Sequence, residues 1–160
     1  MPTASELHEI FTYQDGKLFW KKKTAKCVKI GAEAGLKHGK GYLIVPIQYK
    51  HYYVHRVVYM MHHDNEPYII DHIDGNKSNN RIENLRPATR HQNARNSSKQ
   101  KNNTSGAKNV YWNKGKQKWQ VSICVNNKIK HIGTFDDFDK AKQSAYYARI
   151  QYHGEYARHC

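Results

Sequence analysis

Acidic residues and cysteines are scarce in this 160-residue chain, and long apolar runs are absent. Asp and Glu together number 13 against 27 Lys and Arg, a formal net charge of +14 at pH 7. Between Asn84 and Phe135 there is no acid at all. That imbalance favours a polyanionic partner, nucleic acid ahead of an anionic membrane. Cys27, Cys124 and Cys160 are widely separated and form no C-x-x-C pair, which argues against a disulfide framework and against a structural zinc. No apolar stretch approaches the roughly 18 residues a spanning helix needs, and the N-terminus lacks a secretory apolar region. A soluble, cytoplasmic protein without a membrane partner is expected. With 38% hydrophobic and 25% charged residues, the chain can build one modest core or two small ones.

What is present is first a scaffold. Thr3 and Glu6 form a capping box ahead of Leu7, Ile10 and Phe11 at helical spacing. Asp15-Gly16 turns the chain into a strand at Leu18-Phe19-Trp20, followed by Lys21-Lys22-Lys23, a run that suits either a solvated face or phosphate contact. Tyr42 to Ile47 and Tyr52 to Val54 read as a hairpin turning near Tyr49-Lys50-His51, with Pro46 pointing to a sheet edge. Val54 to His62 continues as a short helix. His62, His63 and His91 have no partner at a ligand spacing and read as polar surface.

The chemistry-bearing stretch runs from Tyr68 to Asn96. A short strand, Tyr68-Ile69-Ile70, delivers Asp71 and His72 side by side. Asp74-Gly75-Asn76 then breaks the strand, because Gly and Asn tolerate left-handed backbone. Leu85 to Ala88 forms a second strand. Thr89 and Gln92 are a capping box that opens a helix carrying Asn93 on its first turn. Neighbours in a regular strand point to opposite faces, so bringing Asp71 and His72 to one phosphate requires a bend beginning at Ile73. A calcium loop is excluded: with Gly75 at the sixth place, the first falls on Ile70 instead of an acid.

The run D-H-I-D-G-N-K-S-N-N-R-I-E-N-L with T-R-H-Q-N after it resembles the active-site motif of HNH endonucleases, the ββα-metal fold, in the form of phage and intron-encoded homing enzymes. The resemblance implies Asp71 and Asn93 as ligands of one divalent metal, His72 as general base, and Asn84 as the residue bracing the loop. Hard oxygen donors of this kind suit Mg²⁺ or Mn²⁺ over zinc. A neutral imidazole can take a proton from water, and a dication can neutralise a departing 3′ oxygen. The segment V-H-R-V-V carries the same likeness. It makes His55 and Arg56 candidates for phosphate contact, alongside Arg90, Arg95, Lys99 and Lys101 on the basic track.

Asn96 to Ser105 has no apolar residue and reads as a linker. Beyond it, Lys108 to Tyr111, the alternating Trp119 to Val125 and Lys128 to Ile132 are strands, with Asn126-Asn127 as a tight turn. Asp137 caps a helix from Phe138 to about His153, stopped by Gly154. The segments S-G-A-K-N-V-Y-W, K-W-Q-V-S-I and H-I-G-T-F-D resemble the plant ethylene-response-factor (Apetala) DNA-binding domain. In that family the sheet enters the major groove, which makes Lys108, Tyr111, Trp112, Lys114, Lys118, Gln120, Lys128 and Lys130 DNA-binding candidates. Plant members carry arginine where this chain has Lys or Asn, a substitution that disfavours direct guanine readout.

The expected architecture is therefore α+β: an HNH domain over 1–96, a linker over 97–105, and a three-stranded antiparallel sheet with one helix over 106–160. The expected activity is metal-dependent cleavage of double-stranded DNA. One active site per chain implies that a monomer nicks, and a double-strand break needs a second copy. The alternatives are a non-enzymatic DNA-binding regulator, which would not require Asp71, His72 and Asn93 together, and an RNA binder using aromatic stacking.

Overall fold

The computed structural model describes residues 1–159; Cys160 lies outside the described residues. The chain packs as two compact units, residues 1–88 and 89–160, both mixing small sheets with few helices.

In the first unit, helix α1 (Ala4–Ile10) starts at the expected Thr3–Glu6 capping box. Phe11, grouped with this helix by spacing, instead opens strand β1 (Phe11–Gln14). It is 1% exposed and packs on Trp20 with ring centroids 4.8 Å apart. β1 pairs antiparallel with β2 (Lys17–Trp20) through the two-residue turn Asp15-Gly16, whose φ values are 48° and 83°. Positive φ at both places is the hairpin turn that matches strand twist. β3 (Glu33–Ala34) completes this sheet against β2.

A second sheet orders β4 (Leu36–His38), β5 (Tyr42–Ile47) and β6 (Lys50–Tyr53), with β5 in the centre. The β5–β6 turn falls on Gln48 and Tyr49, both at positive φ, slightly earlier than the sequence suggested. The hairpin includes an edge as Pro46 suggested, namely β6, while Pro46 itself sits in the central strand. It is tolerated because β4 pairs only with Tyr42 to Ile44, so no ladder bond is asked of its missing N–H. Helix α2 (Val54–His63) buries Val54, Val57, Val58, Tyr59 and Met61 among Leu7, Leu18, Val45 and Ile47, and ends on the left-handed residue Asp64. Strands β7 (Ile70–His72) and β8 (Leu85–Pro87) form a separate antiparallel ladder.

In the second unit, α3 (Arg90–Arg95) begins at the Thr89–Gln92 capping box. The stretch read as a linker carries internal hydrogen bonds. Lys99 Nζ donates to Gly106 O, and Asn103 Oδ1 accepts from the Gly106 N–H and from Ser105 Oγ. Its Ser and Asn side chains satisfy the backbone locally, so it holds shape without apolar residues. β9 (Val110–Asn113), β10 (Lys118–Val125) and β11 (Lys128–Phe135) form one antiparallel sheet with β10 central. Lys108, read as the first strand's start, precedes β9. The turn at Asn126-Asn127 has φ of 49° and 63°. Helix α4 (Phe138–His153) is capped by Asp137 and lays Ala141, Ala145 and Ala148 on the sheet, all under 5% exposed. No helix among the described residues is long and apolar enough to cross a membrane.

Leu18, on β2, has no exposed surface and belongs to the core of the first unit. Leu18→Ala is expected to cost about 2–5 kcal/mol in urea unfolding. Ile129→Ala, at a residue 82% exposed, should change stability by no more than about 0.5 kcal/mol.

Candidate functional site

Asp71 and His72 both belong to the ladder, facing Arg86 and Leu85 respectively across it. The strand therefore extends through the acid–histidine pair, and the chain bends only after it. Ile73 donates its N–H to Asn84 O, and Gly75 donates to His72 O. Both act on one neighbour: the His72 ring lies 6.2 Å from that of Tyr42, and the Asp71 charge acts on the Tyr42 hydroxyl.

Asp71 is 4% exposed, and its Oδ2 accepts from Arg86 Nε at 3.0 Å and Nη2 at 2.9 Å. The ion pair spans the ladder at the one register position where the two residues face each other. His72 is 5% exposed. Its ring meets His55 edge-on at 5.0 Å and lies 6.2 Å from the Tyr42 ring. Burial pushes its pKa below the ordinary histidine value. Opposing this, less strongly, are the hydrogen bond to Asn80 and the negative charges of Asp74 and Asp71, while Lys77 reinforces the lowering. The ring is thus neutral at pH 7, the form that can accept a proton.

The loop between the strands is held by amides. Asn84 Nδ2 donates to Asp74 Oδ1 and to Asn79 O, while its Oδ1 accepts the Asp74 N–H. Asn84 thus ties Asp74 and Asn79 together within the loop. Burial works against ionisation of Asp74. The hydrogen bonds from Asn79, the Asn76 backbone and Asn84 outweigh it and hold the carboxyl below the usual range. Two residues of this loop went unnoticed in the sequence. Asn80 is 1% exposed and bonds His72 directly. Lys77 lays its ammonium 4.8 Å from the centre of the Tyr42 ring. Both are ordinary loop residues by type, and only burial and proximity single them out.

Arg56, a candidate phosphate contact, spends its guanidinium inside the unit. It donates to Glu66 and to the carbonyls of Pro67 and Tyr68, fixing the approach to β7. His55 is buried among Tyr42, Tyr53 and His72, and its Nδ1 has no hydrogen-bond partner.

In the second unit, Asn93 lies exposed on the first turn of α3. Arg90 and Lys101 are exposed, and Arg95 donates to Asn126 Oδ1. The sheet separates residues that the sequence grouped together. Trp119 packs on Phe138 of α4 at 4.7 Å and on Trp112 at 5.0 Å, so both tryptophans stand on the helix side. Lys130 covers Tyr152 of the same helix. Lys108 turns its ammonium to the carbonyls of Arg95, Ser97 and Arg158. The open face carries Tyr111, Lys118 and Gln120, with Asn113, Ser122 and His131 that the sequence reading passed over. Gln120 accepts from Asn113 Nδ2 at 2.8 Å and lies 3.1 Å from His131 Nδ1; Lys118 pairs with Asp136. Lys114 and Lys128 are exposed in or beside the sheet's turns.

Among the described residues no group of three or more His, Cys, Asp or Glu side chains is placed to hold a metal ion. The buried Asp71 carboxylate is a hard oxygen donor of the kind that fits Mg²⁺ or Mn²⁺. A dication at Asp71 would share the carboxylate with Arg86.

Burial, the positive charge shared by His72 when protonated, and Arg56 lower the His55 pKa to about 3. The unfolded chain binds its proton near 6.5. The folded state resists protonation, so stability is full above about pH 6.5 and is lost as pH falls towards 3. Between pH 6.5 and 5.5 the wild type should lose about 1 kcal/mol more than His55→Phe in urea unfolding. Equal losses would show that His55 is not buried as a neutral ring.

Residues 52–95 match the family model described as HNH endonuclease. Protein 3.8 of Escherichia phage T7 is 36% identical over 91 residues, covering 57% of this chain and 74% of that protein. No solved structure matches the chain. The chain belongs to the HNH endonuclease family, sharing most of the length of a phage relative and carrying the family's domain over residues 52–95.

Proposed function

We propose that this protein is a metal-dependent endonuclease of homing type acting on double-stranded DNA, with His72 as general base. The observation that carries this reading is a buried imidazole, kept neutral by desolvation, next in sequence to a buried carboxylate inside the family-matched segment. His72 takes a proton from water, whose oxygen forms a new bond to phosphorus. The bond from phosphorus to the 3′ oxygen breaks, and the departing oxygen takes a proton from solvent. Asp71 and Asn93 would hold one Mg²⁺ or Mn²⁺ ion, which supplies charge neutralisation at the phosphate. Asn84 keeps the loop in shape through Asp74. Lys77, Arg90, Lys99 and Lys101 supply positive charge for the DNA backbone.

The second unit serves as the positioning module, similar in element order to the Apetala-type domain. Its open face offers Tyr111, Asn113, Lys118 and Gln120 to the groove, an amide-rich set suited to adenine more than guanine. One active site per chain makes the monomer a nicking enzyme.

A non-enzymatic DNA binder is the second reading, favoured by one observation: Asp71 is already paired with Arg86. In such a protein that pair is purely structural and no metal is used. Supercoiled-plasmid cleavage in Mg²⁺, Mn²⁺ and EDTA separates the two. The wild type should nick with metal and stop with EDTA. His72→Ala should lower nicking by about 10²- to 10⁴-fold while DNA binding is retained; undiminished nicking removes His72 as the base. Binding should also weaken steeply with salt, with log K falling by roughly 0.9 per phosphate contact for each unit of log[salt]. A flat salt response would contradict phosphate contact along the basic track.

A further inference from the structure

Asn80 is the most deeply buried polar residue of the active-site loop, at 1% exposure. A carboxamide is costly to bury unless its donors and acceptors are used. Here Nδ2 donates to Ser78 O at 3.2 Å, and Oδ1 stands 3.2 Å from His72 Nε2. The first bond settles the second. Because the amide nitrogen is committed to a carbonyl, the oxygen must face the imidazole, and an oxygen there can only accept. His72 therefore carries its proton on Nε2, and Nδ1 is the basic nitrogen.

We infer that Asn80 is a positioning residue that selects the tautomer and orientation of His72, so that Nδ1 is the nitrogen that receives the proton from water. This rests on the reading of His72 as the base. The ring has little other freedom. His55 stands edge-on at 5.0 Å and Tyr42 lies at 6.2 Å, so the hydrogen bond decides the proton's place and the rings limit rotation.

The backbone beneath Asn80 is set from elsewhere in the unit. The Asp15-Gly16 turn presses against it: a Cβ on Gly16 would lie 2.7 Å from Arg81 N and 3.0 Å from Asn80 C. Tyr13 OH accepts the Ile82 N–H at 3.0 Å, and Arg81 lies 3.9 Å from the Asp15 carboxylate. A hairpin whose Tyr13 lies 69 positions before Ile82 thus buttresses the residue that orients the base.

The experiment is ¹⁵N–¹H long-range correlation NMR of the His72 ring in the full chain at pH 8, on wild type, Asn80→Leu and Asn80→Asp, with plasmid-nicking kinetics on each. Wild type should show the Nε2–H tautomer. Asn80→Leu should lose that preference and lower kcat roughly 10- to 100-fold, within the range a general base contributes, with KM for plasmid within about twofold. Asn80→Asp, which restores an acceptor, should recover the tautomer and most of kcat. A wild-type ring protonated on Nδ1, or an Asn80→Leu ring with unchanged tautomer and kcat, overturns the inference. The wild-type spectrum decides the tautomer even if a variant fails to fold. Undiminished nicking by His72→Ala would instead sink the base assignment and leave the tautomer result standing.

Discussion

The site depends on one carboxylate, Asp74, and the amides gathered round it. The loop between His72 and Leu85 carries two large apolar side chains, Ile73, which is 44% exposed, and Ile82, partly buried against the core, so packing holds little of it. It keeps its shape because Asn76, Asn79 and Asn84 donate to Asp74. Each bond is modest, about 0.5–1.5 kcal/mol net for neutral partners and more towards a charged acceptor. Their sum outweighs the cost of burying part of the carboxylate, as the lowered Asp74 pKa records. Asn84 also returns an acceptor to the Asp74 N–H, so loop and strand end are locked reciprocally.

That lock lets a second polar group, Asn80, be buried against His72. Electrostatics at the imidazole then becomes a contest with a clear result. Asp71 and Asp74 both favour a protonated ring, and the hydrogen bond to Asn80 acts in the same direction. Burial beneath Tyr42 and His55 exceeds them all and leaves the ring neutral. His55, equally buried and without an Nδ1 partner, is pushed further the same way. Two neutral imidazoles in contact avoid the repulsion that two charged ones would suffer.

In the second unit the same economy governs the sheet. α4 presents small alanines, so helix and strands approach closely, and the aromatic rings of Trp119, Trp112 and Phe138 fill the margin. Lysines that look equivalent in the sequence then diverge. Lys108 caps inward carbonyls, Lys130 lies on a tyrosine, and Lys118 pairs with an acid at the sheet's edge. Positive charge is a property of the chain, but its availability to a partner is a property of each side chain's surroundings.

Local chemistry was enough to place the elements whose signals are short-range. Thr3–Glu6 and Thr89–Gln92 cap helices because a hydroxyl and a carboxylate or amide three residues apart can satisfy free N–H groups without help. Asp15-Gly16 and Asn126-Asn127 turn because those residues tolerate positive φ. Asn84 was singled out by the resemblance alone, and its amide bonds Asp74 and Asn79. Contacts distant in sequence were not legible. Nothing local distinguishes Asn80 from Asn79, since burial against His72 depends on how the Tyr13–Gly16 hairpin seats the loop. Arg56 reads as a free cation until Glu66 and two carbonyls fold over it, and Trp112 reads as a groove residue until Trp119 pairs beside it. The sequence by itself determined which chemical groups exist and where the backbone can turn. Tertiary packing alone decided which of those groups lose water, because desolvation is set by neighbours that the chain brings together only on folding.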